Sequence, residues 1–210
     1  MPSQTIDDFK NYIEQVRLIC SYSIENFEYS DYMYRKSKTH EFAIIQGSSS
    51  MSTIRHATIR ISILELSKLL GKSSHKYNIN SLLNSLINGE YGFEFKNNDE
   101  LKVWQIKLSN TNATIEKLIK LRDKEIAHTD NLENRMQLED ITYNEIESLL
   151  MLTKDFINYV WQQLHGINAV FISRISEWKY IMNLLVRGMY GKDYLENDRL
   201  MYIKGFPSFS

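Results

Sequence analysis

Residues 115–128 read IEKLIKLRDKEIAH, and the way this stretch winds decides how the chain folds. On a wheel turned about 100° per residue with Ile115 at zero, Ile119 falls at about 40°, Ile126 at about 20° and Leu118 at about 300°. Apolar residues recurring with that period line one face of a helix. This is the third long helix of the chain. It starts at about Asp99, allows an interruption near Ser109-Asn110, and ends at His128, where Thr129-Asp130-Asn131 supplies turn chemistry. Arg122 falls at about 340°, in the middle of the apolar stripe. A guanidinium cannot shed its charge. Either a carboxylate neutralises it in the core, or the stripe faces a polar cleft or a subunit interface there.

The segments on either side wind the same way. Towards the N-terminus, Ile6, Phe9, Ile13, Val16, Cys20, Ile24 and Phe27 recur at three- and four-residue intervals, predicting a first helix from Thr5 to about Phe27. Thr5 caps it, and Asp7 and Asp8 complement its dipole. Tyr29, Tyr32 and Tyr34 then extend the helix or turn the chain. Ser48-Ser49-Ser50 caps a second helix that runs from Met51 through Ile59, Ile63, Leu66 and Leu70 to Gly71. Between Ser74 and Asn98 the sequence reads as a short helix (Leu82, Leu83, Leu86, Ile87) and a loop that packs by Tyr91, Phe93 and Phe95.

On the other side of the central stretch, Thr142 with Glu145 three residues on has the spacing of a capping box. It opens a fourth helix through Ile146, Leu149, Leu150, Phe156, Val160 and Leu164, stopped by Gly166. A fifth spans about Ser173 to Met189, with Ile175, Trp178, Ile181, Leu185 and Met189 on one side and Gly191 after it. The Trp178, Tyr180, Met182 and Met189 cluster suits a core or a dimer interface. The expected fold is therefore all-α: one domain over residues 1–210, a bundle of four to five main helices. Its core lies at about 5–165, with a C-terminal helical extension at about 170–210.

Composition agrees. With only 8 glycines and 2 prolines in 210 residues, the chain lacks the turn residues an all-β fold consumes. Lys+Arg (25) and Asp+Glu (26) nearly cancel, which excludes a global positive field for packaging nucleic acid. The most basic stretch carries Arg55, Arg60, Lys68, Lys72 and Lys76 against Glu65 alone. A solvated helix face accounts for it, and Arg55 and Arg60 are the candidates for phosphate contact. The single Cys20 sits on an apolar face and reads as a buried thiol. It forms no internal disulfide, the first residues resemble no signal sequence, and no apolar run spans a membrane. A cytoplasmic protein is the expectation. The scattered histidines lack partners at ligand spacing, so no metal and no cofactor are expected, and Gly89 and Gly92 build no phosphate loop.

The segment Leu121-Arg122-Asp123-Lys124-Glu125-Ile126-Ala127-His128 resembles the signature of the HEPN superfamily, an Arg followed by a polar residue and, after a short spacer, a His. Among its branches the match is nearest to domains associated with bacterial abortive infection. The resemblance implies a metal-independent endoribonuclease acting as a homodimer, in which the motifs of two chains form one site on an RNA substrate. Arg122 and His128 would be catalytic and Asp123 would orient one of them, with Lys124, Arg55 and Arg60 on the RNA. A toxin or anti-phage effector restrained by an antitoxin or regulatory protein fits this pattern. Asp130 stands where some members carry a tyrosine that nucleotidyltransferases modify, so that regulation is not expected. Two other readings stay open: a noncatalytic HEPN-like module that binds a partner protein or nucleotide, and a plain ion pair between Arg122 and Asp123 with His128 favoured at a helix C-terminus.

Overall fold

The computed structural model describes residues 5–71, 75–92, 98–127 and 141–190, with the side chains of residue 98 and residues 124–127 left aside. Among the described residues every regular element is helical: α1 Ile6–Asp31, a π-helical turn Tyr32–Lys36, α2 Thr39–Gly47, α3 Ser49–Leu70, α4 Ile79–Ile87, α5 Asn98–Ser109, α6 Asn112–Ala127, α7 Tyr143–His165 and α8 Ile175–Tyr190.

The caps form where the sequence puts them. Thr5 accepts from the Asp8 N–H while the Asp8 carboxylate returns to the Thr5 N–H (2.9 Å), and Thr142 and Glu145 make the same reciprocal pair at the start of α7. Gly166 ends α7 with φ of 72°, a left-handed conformation that suits glycine. The interruption expected near Ser109-Asn110 is a full break between α5 and α6.

The core gathers around α1, whose Phe9, Ile13, Val16, Cys20 and Phe27 are buried against α3 and α7. Serines line part of that contact and let the helices approach closely. Ser23 Oγ donates to the Ser62 carbonyl (2.8 Å) and Ser30 Oγ to the Arg55 carbonyl (3.1 Å), so α1 and α3 run antiparallel. Tyr91 stacks on Phe9, ring centroids 4.8 Å apart, as the aromatic loop was expected to do. Phe93 and Phe95 lie outside the described residues.

Two features depart from the sequence reading. The nine-residue α2 was not foreseen, because Phe42, Ile44 and Ile45 are too few to display a period. In α8 the buried residues are Met182 and Val186, packed with Ile175 and Trp178 against Tyr32, Met33, Ile44 and Ile45. Ile181, Leu185 and Met189, expected to share the covered side, face outward. The existence of α2 explains the rotation: its apolar side offers α8 a docking face that a wheel drawn for α8 alone cannot know.

Candidate functional site

Helix α6 is held by Ile115, Leu118 and Leu121, all buried, and packs on α3 and α7. Leu121 falls at about 240° on the wheel, so the stripe centres near Leu118 rather than on Arg122. Arg122 instead lies on its flank, with a side chain 17% exposed. Its aliphatic stem is covered while its head reaches the surface. There Nε (2.9 Å) and Nη2 (2.6 Å) both donate to one oxygen of Asp123, whose side chain is 63% exposed. Neighbours on a helix point about 100° apart, so the two heads meet only by swinging together at the rim. The partner required by the charge of Arg122 is thus its own neighbour, and the pair is presented to solvent.

His128 lies outside the described residues, as does the side chain of Lys124, so Arg122 and Asp123 are the charged motif side chains that the structure describes. Earlier in the helix Lys117 Nζ donates to Glu145 (2.7 Å), tying the N-terminal half of α6 to the first turn of α7. That bond, with the Thr142 N–H, holds the Glu145 carboxyl down at about 2.

The other face of the same α7 turn meets α1. The Tyr143 hydroxyl is 2.8 Å from Ser30 Oγ, and its ring stacks on Tyr34 at 5.0 Å. Burial pushes the Tyr143 phenol up. Arg55, a candidate for phosphate contact, belongs to this cluster. Its guanidinium lies 5.6 Å from the Tyr34 ring centroid and Nη2 is 3.3 Å from His56 Nε2. Arg60 lies half-buried on the same helix α3, which packs against α6.

Sequence reasoning missed the charges beside them. Asp31, with a side chain 2% exposed, receives Arg35 and also Lys36 (2.5 Å), both supplied by the π-helical turn, while Asn144 and Glu147 (3.0 Å) receive Arg35 from α7. The bond to Asp31 raises the Lys36 pKa. The signal was the run Asp31-Tyr32-Met33-Tyr34-Arg35-Lys36: a π turn advances the backbone so that two consecutive cations return to one carboxylate. Cys20 is inert, burial pushing its thiol up to about 12. Among the described residues no group of three His, Cys, Asp or Glu side chains could hold a metal ion, and no helix is long and apolar enough to cross a membrane.

A family model described as HEPN_AbiU2: AbiU2 matches residues 6–178, from the first turn of α1 into α8. No curated protein matches the chain, and no solved structure does.

Proposed function

Since the chain belongs to the HEPN_AbiU2 family, a HEPN-type family associated with abortive infection, we propose that it is a metal-independent endoribonuclease whose site is built from Arg122, Asp123 and His128 of two chains. The observation that carries this reading is the Arg122–Asp123 pair. A guanidinium held by a covered stem and steered by an exposed carboxylate can turn its remaining N–H donors to a phosphate with little loss of side-chain freedom.

The chemistry follows from the residue types. His128 takes the proton of a ribose 2′-OH. The freed oxygen attacks the adjacent phosphorus, and the bond to the 5′-oxygen breaks. A second imidazole, from the other chain, returns a proton to that leaving oxygen. Arg122 neutralises the charge that develops on the phosphate oxygens. The products are a 2′,3′-cyclic phosphate and a 5′-hydroxyl. Lys124, Arg55 and Arg60 are proposed to carry the flanking backbone of the RNA. The role in the cell would be that of a toxin or anti-phage effector, kept in check by an antitoxin or regulatory protein.

One observation favours a second reading. Asp123 engages Arg122 through two N–H groups of the guanidinium, as a structural ion pair in a noncatalytic binding module would. Growth on induced expression separates the two. The catalytic reading expects arrest by the parent and normal growth with Arg122→Ala or His128→Ala. Two folded variants that arrest growth as the parent does would rule it out.

A further inference from the structure

An aromatic stack runs from the core to the surface at the start of α7. Phe27 in the core meets Tyr143, ring centroids 5.8 Å apart, and Tyr143 in turn stacks on Tyr34 at 5.0 Å with the rings 15° from parallel. Tyr143 is half-buried, and Tyr34, which ends the stack, is 53% exposed. Tyr34 comes from the π-helical turn, a distortion that recurs at functional sites. A guanidinium attends each ring, Arg35 at 5.2 Å from the Tyr143 centroid and Arg55 at 5.6 Å from that of Tyr34. Asp31 and Glu147 neutralise Arg35, whereas no carboxylate among the described residues meets Arg55.

The helix directions set this stack at the same end of the bundle as Arg122. Phe27 meets Tyr143 while Arg17 lies 5.4 Å from the Trp161 ring centroid, so α1 and α7 run antiparallel. Trp104 meets Phe156 while Lys117 reaches Glu145, so the chain through α5 and α6 also runs antiparallel to α7. Past Lys117, α6 therefore carries Arg122 towards the end where α7 begins and Tyr143 stands. Arg55 is joined to that end through Ser30, whose hydroxyl bonds both the Arg55 carbonyl and the Tyr143 hydroxyl.

We infer that Tyr34 is a base-stacking platform: an unpaired nucleobase of the RNA lies on the ring face turned away from Tyr143, and Arg55 takes a phosphate of the same strand. A flat π face is the surface that every base can use, whatever its sequence. Tyr143, anchored on Phe27, backs the ring and holds it in place, so stacking a base on it costs little side-chain freedom. Beside the ring, a guanidinium with no carboxylate to displace supplies charge for the backbone. A base inside a duplex has its faces covered by its neighbours, so the platform admits unpaired strand and rejects paired. The inference deepens the RNA-cleaving reading and rests on RNA being the ligand of this end. It gives Tyr34 a part in selecting the strand and none in the chemistry.

Fluorescence anisotropy of the full chain with two labelled probes tests it: a short 2′-O-methyl oligouridylate, and an abasic 2′-O-methyl oligomer of the same length. The parent is expected to bind the base-bearing probe about 10-fold more tightly than the abasic one. Tyr34→Leu should abolish that preference while binding the abasic probe as before, and Tyr34→Trp should keep it. Arg55→Gln should weaken both probes alike and lower the salt dependence of binding. Equal binding of the two probes by the parent, or binding of neither, overturns the inference. So does a Tyr34→Leu chain that keeps the preference or loses both probes alike. Neither probe has a free 2′-OH to attack with, so the result is separate from that of catalysis. A chain that cleaves RNA but shows no base preference contradicts the role of Tyr34 alone, and one that prefers bases but cleaves nothing contradicts the catalytic reading alone.

Discussion

At the scale of single residues, it was readable from spacing that Arg122 adjoins a covered stripe, though it lies on the flank and not in the expected middle, and that its charge needs a carboxylate, a polar cleft or a subunit interface. That the carboxylate is the very next residue was not, because adjacent side chains diverge on an ideal helix and meet only where the heads are free to swing. Guanidinium geometry gives this position a sharp test. Arg122→Lys keeps the charge and loses the fork, so RNA cleavage should fall about 10- to 100-fold, and Arg122→Ala should cost at least about 10 times more, in initial rates on one RNA. Glu145 offers a prediction in pH. Its folded carboxyl titrates at about 2, below its ordinary 4.5, so the bond to Lys117 and the cap stabilise the fold fully above pH 4.5. As pH falls from there towards 2, the unfolded chain takes up the proton first and that stabilisation is lost. Glu145→Gln should therefore show a flatter decline in stability between about pH 5 and pH 2 than the parent, measured by urea unfolding.

Among the elements, those with a long period or a cap pair declared themselves. The first turn of α7 was legible from Thr142 and Glu145 alone, and Thr142→Ala should cost about 1 kcal/mol, lowering the melting temperature by about 2–4 °C. Short α2 was silent. So was the direction in which α8 turns, since its sequence carries two apolar stripes and only the neighbour supplied by α2 and the π-helical turn decides which is buried. The Asp31 network was hidden for a related reason: Arg35 and Lys36 look like solvated charges until a π turn folds both onto one carboxylate. Because those cations can return to water when it is removed, Asp31→Asn should destabilise by only about 1–2 kcal/mol, read from chemical denaturation.

For the molecule as a whole, the all-α architecture was legible because helical period, scarce glycine and scarce proline agree, and the family match spans most of the chain. The core that results holds α6 firmly. Leu66→Ala, at a fully buried site, should cost about 2–5 kcal/mol while leaving the chemistry of any cleavage unchanged. The proposed meeting of two motifs would be a property of two chains, and a single sequence carries such a meeting only as charge and spacing on surfaces. The central claim, that Arg122 and His128 drive attack by the 2′-OH, is tested most directly by incubating the purified protein with RNA in a chelator and analysing the ends. The account predicts 2′,3′-cyclic phosphate and 5′-hydroxyl termini that vanish with His128→Ala. Intact RNA, or 5′-phosphate ends, or ends that persist in that variant, would contradict it.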